Sequence, residues 1–395
     1  TSFCAPGYGA ISNGNGTWTV VEAKDVALVR NNETIEQFAS LQAAIDKAQT
    51  GDVIVLLKDI TLTEADLVTV NGSSHKVLVK VDGKDITLNM QNHKITVNHQ
   101  NEYTNNGNLI VAVICVEDGA GLTVTGEGTI DVTTHSVNPN IAYMFWKRGT
   151  TGHLTIENGT FRMNDTFDSM VYTNGDEIVT VKGGTFTLDA VGTDENGSPW
   201  IFNCQGTGGK NVIVTGGTYN ADINRQHWSD EVFVPETHYT ANNGDGTYTI
   251  KEGAEAYVNT GMLTGPYYYR KNIGYATFEE AVKAAVDFKD SPVGLNQDVT
   301  LEETVIINGN GDEMELVIDL NEHTITGTAT AKPTAFRIQN NANVIVKNGN
   351  INTENYNFIL GSSDATTAGN LTIESGNYKG ASSVVSVTNG LLTIN

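Results

Sequence analysis

The chain has 395 residues, room for two or three domains, and carries 46 Asp plus Glu against 23 Lys plus Arg. Its net charge of −23 repels nucleic acid and anionic membranes alike, and no basic patch offsets it. No apolar run approaches the ~20 residues of a membrane span. Three cysteines, Cys4, Cys115 and Cys204, lack metal-like spacing and argue against both a disulfide framework and a zinc site.

The first predicted element is a β-hairpin. Residues 12–20 read SNGNGTWTV, and Asn-Gly pairs tolerate the positive φ of tight hairpin turns. Alternating runs flank the turn at 8–11 and 17–20. Residues 40–48, SLQAAIDKA, place Leu41, Ala44, Ile45 and Ala48 at helical spacing, with Ser40 as the capping residue. KDITL follows at 58–62 and LNMQNHKITV at 88–97. A short template then recurs: LTVTGEGTI at 122–130, LTIENGTF at 154–161, VTVKGGTF at 179–186 and VIVTGGTY at 212–219. Each copy is an alternating strand, a tight corner and a second short strand. Alternation puts Leu154, Ile156 and Phe161 on one side, and Gly at the corner permits a left-handed backbone. One such unit cannot bury its own apolar face, whereas stacked units share a continuous core.

At 242–250 the hairpin phrase returns as NNGDGTYTI, and the order of elements repeats. TFEEAVKAAV at 277–286 is the second helix, with Phe278, Ala281, Val282 and Ala285 at helical spacing and Thr277 with Glu280 as a capping box. QDVTL at 297–301, IDLNEHTITG at 318–327, VIVKNGNI at 344–351 and NLTIESGNY at 370–378 follow. A preserved order over this length reads as a large internal duplication. A bare solenoid end exposes core and strand edges, and an amphipathic helix is a suitable plug for it. The expected fold is all-β: a parallel β-solenoid in two tandem units, each with an N-terminal amphipathic capping helix, joined by a β-hairpin junction. The expected divisions are 1–30 for the tail and hairpin of a preceding unit, 31–235 for the first unit, 236–272 for hairpin and linker, and 273–395 for a second, truncated unit.

NGDGTYTI, YATFEEAVKAA, GDVIVLLKDITL and KGGTF together resemble the units of large repetitive surface proteins of gut Firmicutes and related bacteria. The resemblance covers nearly the whole chain. It implies a right-handed parallel β-helix on an exported protein, adhesin-like or structural, at the bacterial surface. Its implied partners are a glycan or host-surface ligand and neighbouring repeat units of the same chain, with no nucleic acid and no direct membrane insertion.

Parallel β-helices also carry polysaccharide lyases and glycosidases, so acid pairs matter. A glycosidase needs two carboxylates roughly 5 to 9.5 Å apart. Asp165 and Asp168 lie in one loop, and Asp189, Asp194 and Glu195 in the next, but an acidic chain places carboxylates in most loops. A lyase base would draw on Lys147 and Arg148, the adjacent basic pair of the first coil region. NGDGT lacks the Gly and Glu of an EF-hand, with Tyr248 and Ala254 at those places. No metalloprotease, nucleophile-elbow or P-loop pattern occurs. His93 and His323 occupy equivalent places in the two halves and read as structural. The expectation is therefore a non-enzymatic chain with no catalytic residue, no metal and no cofactor. The binding candidates are Trp146, Trp200 and Trp228, near or within loops of the first unit, where aromatic faces stack on sugars. Competing with that is the packing of these rings into the core. A carbohydrate-active β-helix enzyme is the first alternative, marked by Ca²⁺ beside a Lys or Arg in a groove. A phage fibre or tailspike component is the second, marked by intertwined trimers.

Overall fold

The stretch IVTVKGGTFTL shows how the chain builds its layers. Strand Ile178–Val181 alternates with Val179 and Val181 inward, and Gly184 turns the corner at φ 101° before strand Thr185–Leu188 sends Phe186 and Leu188 inward. Only a residue without a Cβ adopts that φ at little cost. The computed structural model describes residues 4, 8–22, 24–99, 110–134, 141–164, 168–173, 178–189, 200–204, 212–223, 233–260, 271–287, 291–309, 314–328, 330–361 and 368–395. Strand dominates these residues, and many of the sheets are parallel, a β-solenoid-like arrangement.

The chain divides into two units: residues 1–233 with 242–249, and residues 234–241 with 250–395. In the first, three sheets grow strand by strand as the chain circulates between them. Gly121–Thr125, His153–Ile156, Ile178–Val181 and Val212–Val214 are successive parallel neighbours in the first sheet. Lys94–His99, Thr129–Thr134, Thr160–Met163, Thr185–Leu188 and Thr218–Tyr219 are successive neighbours in the second. Lys76–Val81, Ile110–Val116, Ile141–Lys147, Ser169–Thr173 and Trp200–Cys204 form the third. Exact register stacks like on like: Ile95, Ile130, Phe161, Phe186 and Tyr219 form one interior column, with ring centroids 4.8 Å apart for Phe161–Phe186 and 5.1 Å for Phe186–Tyr219.

Helix Leu41–Lys47 packs against the early strands Val26–Arg30, Glu33–Phe38 and Lys76–Val81, burying Leu41, Ala44 and Ile45. The Ser40 side chain accepts from Ala43 N, as its capping role requires. At the far end, Tyr248 and Thr249 lie antiparallel to Tyr219 and Thr218.

In the second unit, Val293–Leu295, Met314–Asp319, Ala342–Lys347, Asn370–Ile373 and Leu392–Ile394 are successive parallel neighbours. Two further sheets of four strands complete it. Helix Phe278–Asp287 buries Phe278, Ala281, Val282 and Ala285, with Phe278 edge-on to Phe336. Thr277 Oγ1 accepts from Glu280 N, and Glu255 accepts from Phe278 N.

One loop is wired identically in both units. His93 Nδ1 lies 3.4 Å from Asp59, whose carboxylate accepts from Lys94 N. His323 Nδ1 lies 3.4 Å from Asp298, whose carboxylate accepts from Thr324 N. Both histidines thus have local structural partners.

Candidate functional site

Four strands of the second sheet of the first unit, Lys94–His99, Thr129–Thr134, Thr160–Met163 and Thr185–Leu188, are each followed in the chain by a strand of the third, respectively Ile110–Val116, Ile141–Lys147, Ser169–Thr173 and Trp200–Cys204. The third-sheet strands depart from strict alternation. In Ile141–Lys147, Phe145 enters the core against Phe161, while Trp146 joins a separate apolar cluster with Val77, Ala112, Cys115 and Tyr172. That cluster and the polar groups beside it form the candidate site.

Asp168 sits at its centre, immediately before strand Ser169–Thr173. Its Oδ2 accepts from the Tyr143 hydroxyl at 3.2 Å and its Oδ1 from Asn203 Nδ2 at 2.8 Å. Its backbone carbonyl accepts from Trp200 N at 2.8 Å. The three side chains come from three successive strands, brought together by the registers Tyr143↔Ser169 and Tyr172↔Asn203. Tyr143 stacks on Tyr172 at 4.3 Å and 6°. Burial pushes the Asp168 carboxyl above the usual carboxylate range, against the opposing pull of its hydrogen bonds. Burial, with the Asp168 charge beside it, pushes the Tyr143 phenol upward as well. Asp168 is thus a half-buried acid that holds its proton to higher pH than an exposed one.

The predicted site residues fall in different places. Trp146 is buried, 7% exposed, with the Arg148 guanidinium 4.9 Å from its ring and Tyr143 and His75 tilted against it. Its ring packs within the outer apolar cluster. Trp200 is half-buried beside Asp168. The indole nitrogens of Trp146 and Trp200 are buried without hydrogen-bond partners among the described residues. Trp228 lies outside the described residues, as do Asp165, Asp194 and Glu195. Asp189 pairs with Arg162 at 3.2 Å and so has a different partner from Asp168.

Lys147, a candidate base on sequence grounds, is fully buried, and its ammonium donates to the carbonyls of Glu117, Arg148 and Thr151. It closes the end of a strand. Arg148 pairs with buried Glu117 at 2.7 Å. The signal that was missed is Tyr143 and Asn203: neither stands out in sequence, and only parallel stacking brings them to Asp168. Among the described residues no group of three or more His, Cys, Asp or Glu side chains is arranged to hold a metal ion. No described helix is long and apolar enough to cross a membrane.

Comparison with protein-family models, with curated proteins and with solved structures finds no match.

Proposed function

We propose that the chain is a non-enzymatic, exported surface protein of two tandem right-handed β-helix units, and that the first unit binds glycans at the Asp168 cluster. The observation that carries the binding reading is the Tyr143–Asp168–Asn203 arrangement next to Trp200. It gathers a carboxylate acceptor, an amide donor and aromatic surface in one place, the groups that sugar hydroxyls and sugar faces require. The partnerless indole nitrogens of Trp146 and Trp200 add unmet donor capacity beside it. The matched His93–Asp59 and His323–Asp298 loops favour a duplicated unit. Display of several chains side by side would raise a weak single-site affinity through effective concentration.

A second reading, a carbohydrate-active enzyme, is favoured by one observation: a carboxyl held protonated above its usual range suits a general acid. A glycosidase also needs a second carboxylate across the scissile bond, and Asp189 is engaged with Arg162 instead. The deciding experiment is a glycan array with multivalent display of the chain, run beside a reducing-sugar release assay. Binding that is lost in Asp168→Asn and Trp200→Ala, with no release, supports the proposal. Sugar release that disappears in Asp168→Asn overturns it in favour of the enzyme. Silence in both assays removes the glycan reading.

A further inference from the structure

Three successive strands of the third sheet each bring one group toward solvent beside the candidate site. In Ile141–Lys147 only Tyr143 is not buried, and in Trp200–Cys204 only Trp200 is not. The strand between them, Ser169–Thr173, is buried throughout, and the group beside it is Asp168, the residue before its start. Tyr143, Asp168 and Trp200 are all half-buried. The sequence of groups across the strands is therefore aromatic, carboxyl, aromatic.

Register fixes their spacing. Tyr143 pairs with Ser169, and Ser169 with Trp200, so the positions form one column that crosses the strands. Neighbouring strands lie about 4.8 Å apart, which separates Tyr143 from Trp200 by two steps, about 10 Å. Asp168 stands at the middle step. Its carboxyl is held by the Tyr143 hydroxyl at 3.2 Å and by Asn203 Nδ2 at 2.8 Å. The Tyr143 ring is held by stacking on Tyr172 at 4.3 Å. Groups fixed before a ligand arrives need little ordering when it binds.

A ligand that uses all three groups must repeat along the column, with one member per strand. Its first and third members must offer an apolar face, and its second a hydroxyl. A glycan whose sugars are joined by equatorial β-1,4 linkages has this form. The chain is straight, each sugar advances by about one strand spacing, and each is turned over relative to the last. The first and third sugars then present the same face, to Tyr143 and Trp200. The reversed sugar between them sets a different edge of hydroxyls against Asp168. An α-1,4 chain coils and a β-1,3 chain curves, so neither keeps step with a straight column.

We propose that the ligand of this site is an extended, equatorially β-1,4-linked polysaccharide lying across the strands of the third sheet, one sugar per strand. The proposal rests on the glycan reading and narrows it to a linkage class and a direction of binding. Three sugars fill the column. The second aromatic ring is worth roughly threefold to tenfold in affinity.

The full-length chain is titrated, by ligand-observed NMR, with cello-, N-acetylchito- and manno-oligosaccharides of one to six sugars, beside maltohexaose (α-1,4) and laminarihexaose (β-1,3). In at least one β-1,4 series, affinity should rise from one sugar to three and level off from three to six. Its hexamer should bind more tightly than maltohexaose and laminarihexaose. Trp200→Ala should remove the gain between two sugars and three, and Trp200→Phe, which keeps a ring in place, should restore it. Equal binding of maltohexaose or laminarihexaose, or a gain that survives Trp200→Ala, overturns the inference and leaves the glycan reading standing. No binding in any β-1,4 series overturns the inference alone when the glycan array is positive for other sugars, and overturns both when the array is silent.

Discussion

The Tyr143 hydroxyl donates across 3.2 Å to Asp168, a carboxyl that burial makes reluctant to ionise. The consequence for stability has a definite sign. A carboxyl whose folded pKa is raised holds its proton more tightly in the native state than in the unfolded chain. Its contribution is fully present below the unfolded value of about 3.9 and is lost as pH rises through the folded value. The Asp168→Asn chain lacks this titration and can still accept from Asn203. Subtracting its melting temperature from that of the parent, across an acid-to-neutral series, should give a difference that falls as pH rises above about 4. Parallel melting curves would show that Asp168 titrates like an exposed acid.

Asp52 carries the opposite sign. Its side chain is 2% exposed and bound through both oxygens by Arg30 at 2.7 and 2.6 Å, with Gln49 N donating as well. The Arg30 hydrogen bonds hold its carboxyl below the usual range. Its stabilisation is therefore present above the unfolded value and is lost as pH falls through the folded value, below about 4. At neutral pH, Arg30→Leu leaves a buried carboxylate without its cation. It should lower the melting temperature more than Lys58→Leu, which breaks the exposed Lys58–Asp25 pair. An equal effect of the two substitutions would refute the distinction.

What was legible in the sequence was whatever is local. Alternation in LTIENGTF placed Leu154, Ile156 and Phe161 inside, the Gly corners were marked by composition, and helical spacing picked out both helices with their capping residues. The third sheet was harder to read. The run IAYMFWK is apolar throughout, and its departure from period two, with Phe145 inward and Trp146 in the outer cluster, follows from stacking on its neighbours. The candidate site was illegible for a related reason. Tyr143, Asp168 and Asn203 are separated by 25 and 35 residues and meet through register between adjacent strands. Lys147 shows the converse: a basic pair in sequence suggested chemistry, and three backbone carbonyls claim it.

The aromatic column sets the cost of a core deletion. Phe186 is 1% exposed and lies between Phe161 and Tyr219, with Phe202 5.8 Å away. Its neighbours above and below are fixed by strand pairing, so the space left by Phe186→Ala collapses poorly. The expected loss is about 3 to 5 kcal/mol, read from urea denaturation midpoints. A loss below about 1 kcal/mol would indicate that the column is loosely packed.

Two glycines separate backbone strain from steric fit. Gly14 and Gly184 both have positive φ, 73° and 101°. An added Cβ at Gly14 meets nothing within 4 Å, whereas at Gly184 it comes 2.9 Å from the Gly159 carbonyl oxygen and 3.0 Å from Phe161 Cε2. Gly14→Ala therefore pays only for the left-handed conformation, about 1 kcal/mol. Gly184→Ala adds a clash with the backbone of the preceding turn, which cannot yield without shifting a paired strand. Gly184→Val enlarges the same clash. Melting midpoints should fall in the order Gly14→Ala, Gly184→Ala, Gly184→Val, with the step between the first two larger than the effect of Gly14→Ala itself. If Gly14→Ala and Gly184→Ala cost the same, positive φ alone explains both positions, and the close approach of successive corners contributes nothing to stability.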